Sequence, residues 1–277
     1  MLRSTGEDGS THDRRIRDRS DPVFIRAALA YNVAAHSLAL WEDSAVNWTA
    51  ETLAGLLDHT ILKPGHTLDD VRRTCDEARR WHFHTVCASP YDLPTVVESL
   101  GGSGVAVGAA LAIPMGFGTA QQKARAAEDA VRVGADEVDV VVNLTAVKSG
   151  RWADVVEELR AVRRATADKV LKLIFETCYL TDDEKRRLCE LCCEAGLDFV
   201  KTSTGFGPAG ATVADIRLMK ECVGRRALVK AAGGIRTFAD VQAMVEAGAV
   251  RIGTSSSVAI MQDFLGHAAP PAADGDE

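Results

Sequence analysis

Gly134-Ala135-Asp136-Glu137-Val138-Asp139-Val140-Val141-Val142-Asn143 is the stretch that decides the fold. Its glycine ends a run of helical period over 120–133, and the chain passes at once into a short, valine-rich segment. The same phrase returns at Gly196-Leu197-Asp198-Phe199-Val200 and at Gly248-Ala249-Val250-Arg251-Ile252. Short apolar segments occur at 56–59, 85–88, 105–111, 137–143, 170–176, 199–202, 228–231 and 251–253. Longer stretches of helical period separate them, as at 120–133, 152–165, 182–195 and 237–247. Eight strand–helix units of this size predict an α/β protein, a single (β/α)8 TIM barrel with an N-terminal extension. A doubly wound open sheet is the alternative, but no Gly-X-Gly-X-X-Gly follows the first strand.

The barrel is expected over 51–266 of the 277 residues. Residues 1–50 form the extension. Of these, 1–21 are polar and mixed in charge, a composition that predicts disorder. Residues 22–41 could form an amphipathic helix, but Arg26, Asn32 and His36 interrupt it, so it is not a membrane span. Residues 267–277 are expected as a flexible tail. A hydrophobic fraction of 47% allows a large core, and a net charge of −7 argues against general nucleic-acid binding. Seven cysteines without a secretory signal predict a reduced, cytoplasmic setting. Cys189, Cys192 and Cys193 lie on a predicted helix with no second ligand pair at zinc spacing, and are expected as buried apolar side chains. His82 and His84 flank Phe83 before a strand and are expected in packing or at the surface rather than on a metal. No metal and no cofactor is expected.

Two lysines stand at the ends of apolar runs. Lys201 lies in Phe-Val-Lys-Thr-Ser-Thr-Gly and Lys230 in Leu-Val-Lys-Ala-Ala-Gly-Gly. An ammonium at the top of a buried strand needs a counter-charge or must lose its proton, and a neutral amine beside a second cation can attack a carbonyl. Strand parity groups Asp139 with Val141 and Asn143, Lys172 with Ile174 and Glu176, Lys201 with Phe199 and Ser203, and Lys230 with Leu228. If these faces point inward, four strands bring polar groups to the barrel axis, with Asp139 as the counter-charge. A second group suits phosphate. Gly233-Gly234 follows the seventh strand, and Gly253-Thr-Ser255-Ser256-Ser opens the last helix, which is where barrels commonly hold phosphate on backbone N–H groups. The residues alone leave open an imine-forming enzyme, another phosphate-binding barrel enzyme such as an isomerase, or a non-catalytic barrel.

At these positions the chain resembles the deoxyribose-phosphate aldolases. The matching phrases are Leu-Asp58-His-Thr60-Ile-Leu-Lys-Pro, Val-Cys87-Ala-Ser-Pro, Gly-Ala-Asp-Glu-Val-Asp139, Leu-Lys172-Leu-Ile-Phe-Glu176-Thr, Phe-Val-Lys201-Thr-Ser-Thr204-Gly205, Val-Lys230-Ala-Ala-Gly233-Gly234 and Arg-Ile-Gly253-Thr-Ser255-Ser256. They run in family order over roughly 51–262. The resemblance implies a metal-independent class I aldolase on a (β/α)8 barrel. It would reversibly cleave 2-deoxy-D-ribose 5-phosphate to D-glyceraldehyde 3-phosphate and acetaldehyde, in deoxyribonucleoside catabolism. It implies Lys201 as the Schiff-base lysine and Asp139 and Lys230 as proton-transfer residues, with Lys230 also keeping Lys201 nucleophilic. Asp58, Thr60, Cys87, Lys172 and Thr204 are implied as substrate-pocket residues. Gly205, Gly233, Gly234, Gly253, Ser255 and Ser256 are implied as the phosphate cradle. A homo-oligomer, dimer or tetramer, is expected, with no nucleic-acid or membrane partner. Two departures stand out: Ala231 replaces a common proline or serine, and Phe206 stands where some relatives place a lysine near the phosphate.

Overall fold

A computed structural model describes residues 46–268; the helix expected over 22–41 lies outside the described residues, as does 269–277 of the expected tail. A short helix α1 (Ala50–Ala54) leads into the alternation. It runs β1 (Leu57–Ile61), α2 (Leu68–Trp81), β2 (Thr85–Ala88), α3 (Leu93–Leu100), β3 (Ala106–Leu111) and α4 (Ala120–Val133). There follow β4 (Glu137–Val141), α5 (Leu144–Lys148), α6 (Trp152–Thr166), β5 (Val170–Ile174), a single 3-10 turn (Thr177–Tyr179) and α7 (Asp182–Glu194). The last units are β6 (Phe199–Lys201), α8 (Val213–Val223), β7 (Leu228–Ala232), α9 (Phe238–Glu246), β8 (Arg251–Thr254) and α10 (Ser257–Ala268). All neighbouring strands pair in parallel in sequence order, and β8 returns to pair with β1, closing an eight-stranded barrel.

Alternation along each strand separates two interiors. Val138, Val140, Leu171, Leu173, Val200, Val229, Ala231 and Ile252 face outward and join the core between sheet and helices. The opposite parity points inward. At the N-terminal end of the barrel Phe199, Leu228 and Val250 pack with Val170 into a small apolar plug of their own. Above this plug the barrel is filled by charge.

Threonines start the helices. Thr67, Thr119, Thr181, Thr212 and Thr237 each accept the N–H three residues on, and four of these five caps are reciprocal boxes closed by Asp70, Gln122, Glu184 and Asp240. Such caps contribute about 1 kcal/mol each. The helix ends repeat as well. Ala135, Leu197 and Ala249 donate their N–H to the carbonyl five residues back, around left-handed Gly134, Gly196 and Gly248. The same closure ends α2, where Phe83 N–H reaches Ala78 O at 3.0 Å, but the left-handed residue is His82, with φ 56. So one of the expected histidine pair is a helix terminator, exposed to solvent.

That position generates a prediction. A glycine there escapes the left-handed penalty but loses more freedom on folding. His82→Gly should therefore stabilise the barrel by about 0.5–1 kcal/mol, read as a raised denaturant midpoint with an unchanged slope.

Candidate active site

The inward side chains of β1, β4, β5, β6, β7 and β8 meet in one buried network. Asp139, third residue of β4, is its centre. Its Oδ1 accepts Lys172 Nζ at 2.8 Å, and its Oδ2 accepts both Lys201 Nζ at 2.8 Å and Lys230 Nζ at 2.7 Å. Lys172 also donates to Glu137, and Lys230 to Asp58. Arg251 lies beneath, joining Asp58 Oδ1 at 2.7 Å to Glu137 Oε1 at 2.8 Å and Thr85 Oγ1 at 3.1 Å. Strand pairing sets Asp139 opposite Lys172, Lys201 opposite Lys230, and Lys230 opposite Arg251, while the contacts of Lys201 and Lys230 with Asp139 and of Arg251 with Glu137 cross the barrel interior. Gly253, within β8, makes room: a Cβ there would stand 3.1 Å from Lys230 Cε.

Burial and pairing compete throughout. Burial alone would push the Asp139 carboxyl up, but Lys172, Lys201 and Lys230 overcome it and hold Asp139 well below the usual carboxylate range. Arg251 and Lys172 do the same for Glu137, and against its burial Arg251 and Lys230 lower Asp58. Burial would lower Lys230, yet Asp139 and Asp58 raise it above the usual lysine range, so it stays cationic. Lys172 is raised likewise by Asp139 and Glu137. His84, beside Glu137 at 3.5 Å, is pushed down by burial and then by Arg251. Lys201 differs from the other two lysines. It touches one carboxylate where they touch two, and it is the most exposed of the three, at 4% against 1% and 1%.

Five of the residues expected from the sequence, Asp58, Asp139, Lys172, Lys201 and Lys230, thus lie in one hydrogen-bonded cluster. Cys87 is buried near it, opposite Thr60 on β1, and burial followed by Asp139 pushes its thiol up, which makes it a poor nucleophile. Thr60 donates to Asp58 O at 3.0 Å. Asn143 leaves the axis, because its side chain accepts Ala146 N–H and caps α5. Glu137 and Arg251 lie within two of the family phrases but are given no role there, yet parity could have found them: Glu137 shares a face with Asp139, and Arg251 with Gly253.

At the C-terminal rim the loops after β6, β7 and β8 are tied together. Gly205, Gly233 and Gly234 have φ of 88, 87 and 82. Thr202 Oγ1 exchanges hydrogen bonds of 3.1 Å with Ala232 N and O. Ala211 N–H reaches Gly233 O at 3.0 Å, and Thr254 Oγ1 donates to Ile235 O at 2.8 Å. Ser255 is exposed and Ser256 half-buried at the start of α10, where Ser256 N–H is taken by Thr254 Oγ1 at 3.0 Å. Thr204 is buried against Glu176, and Phe206 stands exposed at the rim.

A parallel barrel with lysines on a shared carboxylate at its mouth defines an enzyme of the barrel aldolase class. Comparison with known proteins narrows this. The DeoC/LacD family aldolase pattern matches residues 52–263, and the chain belongs to that family. It is 50% identical over 210 residues to the deoxyribose-phosphate aldolase of Deinococcus radiodurans, covering 76% of this chain and 96% of that protein. The deoxyribose-phosphate aldolase of Carboxydothermus hydrogenoformans is 50% identical over 217 residues, 77% of this chain and 95% of its own. Among solved structures, the tetrameric deoxyribose phosphate aldolase of Aeropyrum pernix superposes with a TM-score of 0.74 at 30% identity, over 84% of this chain and 98% of that one. The protein is a lyase of the aldolase kind. No helix among the described residues is long and apolar enough to cross a membrane.

Two predictions come from the network. Arg251→Met leaves Asp58 and Glu137 buried without their shared cation, and should cost about 3–5 kcal/mol of stability in a denaturant titration. The second concerns acid. His59 and His84 are pushed below 6.5, largely by burial, so below that pH the unfolded chain binds protons that the folded one refuses. Asp58, Glu137 and Asp139 are held below 3.8, 4.5 and 3.8, so their contribution is complete above those values and is lost as pH falls through the depressed ones. The melting temperature should therefore decline gently below pH 6.5 and steeply below about pH 4.

Proposed function

We propose that the protein catalyses the reversible cleavage of 2-deoxy-D-ribose 5-phosphate to D-glyceraldehyde 3-phosphate and acetaldehyde through an imine on Lys201. One observation carries this reading: Asp139 Oδ2 is shared by Lys201 and Lys230. Asp58, Glu137 and Asp139 are balanced by Lys172, Lys230 and Arg251 without counting Lys201. A fourth cation would leave the cluster with an excess buried charge, which is costly, whereas the neutral amine leaves it even.

The neutral Lys201 amine attacks the C1 aldehyde of the open-chain sugar, and loss of water gives an iminium. The iminium draws electrons from the C2–C3 bond as a proton leaves the C3 hydroxyl. The C3 fragment departs as the phosphorylated aldehyde, and an enamine stays on Lys201. Protonation at C2 and hydrolysis release acetaldehyde and restore the amine. Asp139, an ionised carboxylate touching both lysines, and Lys230, a fixed cation, are assigned the proton transfers. Lys230 also stands as the second cation on the carboxylate oxygen that Lys201 shares. Asp58 and Lys172 hold Lys230 and Asp139 in place, and Thr60, Cys87 and Thr204 complete the pocket. Gly205, Gly233, Gly234, Ser255 and Ser256 receive the phosphate on backbone N–H and hydroxyl groups, with Gly253 leading into that loop. No metal and no cofactor takes part.

The catalytic unit in this reading is the barrel over 51–266, with 1–50 as an extension and 267–277 as a tail. It works in the cytoplasm as a homo-oligomer; the tetrameric relative supports the assembly. Borohydride reduction in the presence of acetaldehyde should add one ethyl group to Lys201, seen by peptide mass spectrometry. Lys201→Leu should fold normally, take up no label and cleave no deoxyribose phosphate in an assay coupled to glyceraldehyde 3-phosphate. A label elsewhere, or cleavage without Lys201, sinks the imine on this residue.

A further inference from the structure

Glu176 stands just beyond β5 with φ 55, a left-handed conformation that side-chain-bearing residues seldom adopt. Backbone held there persists where its surroundings over-determine it, and such residues gather at functional sites. The residue is 1% exposed. All of its side-chain hydrogen bonds among the described residues go to Thr204, in the loop after β6. Both oxygens accept the Thr204 N–H at 3.3 Å, and Oε2 also accepts the Thr204 hydroxyl. With that proton committed to Glu176, Thr204 Oγ1 is free to accept Phe206 N–H at 3.0 Å. The bonds close around Gly205, which is exposed with φ 88.

The loop stays pressed to Glu176 one turn later. A Cβ on Gly207 would stand 3.2 Å from the Glu176 carboxylate and 3.0 Å from Cys178 Sγ. It then runs under the double glycine: a Cβ on Gly210 would stand 2.1 Å from Gly233 O, and one on Gly233 would stand 3.5 Å from Gly205 Cα. The segment clasped by Glu176 is therefore the one that carries Gly205 and supports Gly233.

We infer that Glu176 is a positioning residue for the phosphate end of the substrate. It sets the Thr204–Gly207 turn so that the backbone N–H groups of the glycine loops face an incoming phosphate, and it acts on phosphate binding rather than on carbon–carbon cleavage. This rests on the phosphate reading of Gly205, Gly233 and Gly234 given above. The sign of the effect is diagnostic. A buried carboxylate near an anion site is unfavourable to the anion as a charge, so Glu176→Gln would tighten phosphate if charge alone mattered. Positioning demands the reverse, because the amide presents a donor or loses an acceptor where two Thr204 donors now converge.

The experiment compares wild type and E176Q with 2-deoxyribose 5-phosphate, with unphosphorylated 2-deoxyribose, and with inorganic phosphate as a competitive inhibitor. The expected result is about a tenfold rise in KM for the phosphorylated sugar and in the phosphate inhibition constant. kcat, and cleavage of the unphosphorylated sugar, should change by less than about twofold. Equal losses on both sugars would make Glu176 a general support of the barrel top. Unchanged or tighter phosphate binding would also overturn the inference. A wild type with no preference for the phosphorylated sugar would instead remove the phosphate reading itself, whatever E176Q does. If E176Q does not fold, as judged by circular dichroism, G207A replaces it. Its new methyl group displaces the Glu176 carboxylate while keeping the charge, and should raise the same two constants by about threefold. No rise in the folded variant overturns the inference.

Discussion

Charge inside a closed barrel is the constraint on which the rest of this molecule depends. Asp58, Glu137 and Asp139 are nearly inaccessible, and so are Lys172, Lys230 and Arg251. An unpaired ion at any of these places would be costly, so each must meet its partners across strands. The partners come from opposite sides of the barrel: Arg251 on β8 reaches Glu137 on β4, and Lys230 on β7 reaches Asp139. Pairing between neighbouring strands alone would not bring them together; closure of the sheet does. A slip of one residue in any of these strands would turn its charged residue into the apolar helix layer, so the network also fixes register.

Such an interior is not the most stable filling. Apolar side chains of similar volume often stabilise a core as well as a buried ion network, or better. The apolar plug of Phe199, Leu228 and Val250 shows that this barrel uses ordinary packing where chemistry is not required. The aromatic ring of Phe199 also underlies the polar layer, with Lys172 Nζ at 5.6 Å and Arg251 Cζ at 5.7 Å from its centroid. What the charges provide instead is a gradient of compensation. Lys172 and Lys230 are each paired with two carboxylates and held cationic, while Lys201 meets one carboxylate and is the most exposed of the three. The rim above is organised differently, by hydrogen bonds of threonines to backbone and to Glu176 and by close glycine contacts.

Much of this was legible in the residues. The recurrent glycine phrase marks three helix ends, and parity along the strands brings Asp139, Lys172, Lys201 and Lys230 to one axis. The motif at His82 was less legible, because a histidine takes the left-handed position that glycine takes in the other units. Asn143 has the right parity but sits two residues past the end of β4, where a local helix cap competes for its side chain and wins. Glu176 likewise has inward parity, yet a backbone reversal turns it toward the β6 loop. Arg251 did not stand out within the eighth strand segment, since arginine is seldom fully buried and its two carboxylate partners lie 193 and 114 residues away in the chain.

The sequence by itself determined the alternation of strands and helices, the glycines that end three helices, the inward faces and the two lysines at strand ends, because these depend on periodicity and on contacts within a few residues. The family phrases added the expected chemistry. Only the tertiary structure decided which charges pair, which lysine meets the fewest carboxylates and which carboxylate holds the loop after β6. Those outcomes follow from barrel closure, which sets distances between strands far apart in sequence, and from burial, which makes each unpaired charge too costly to leave alone.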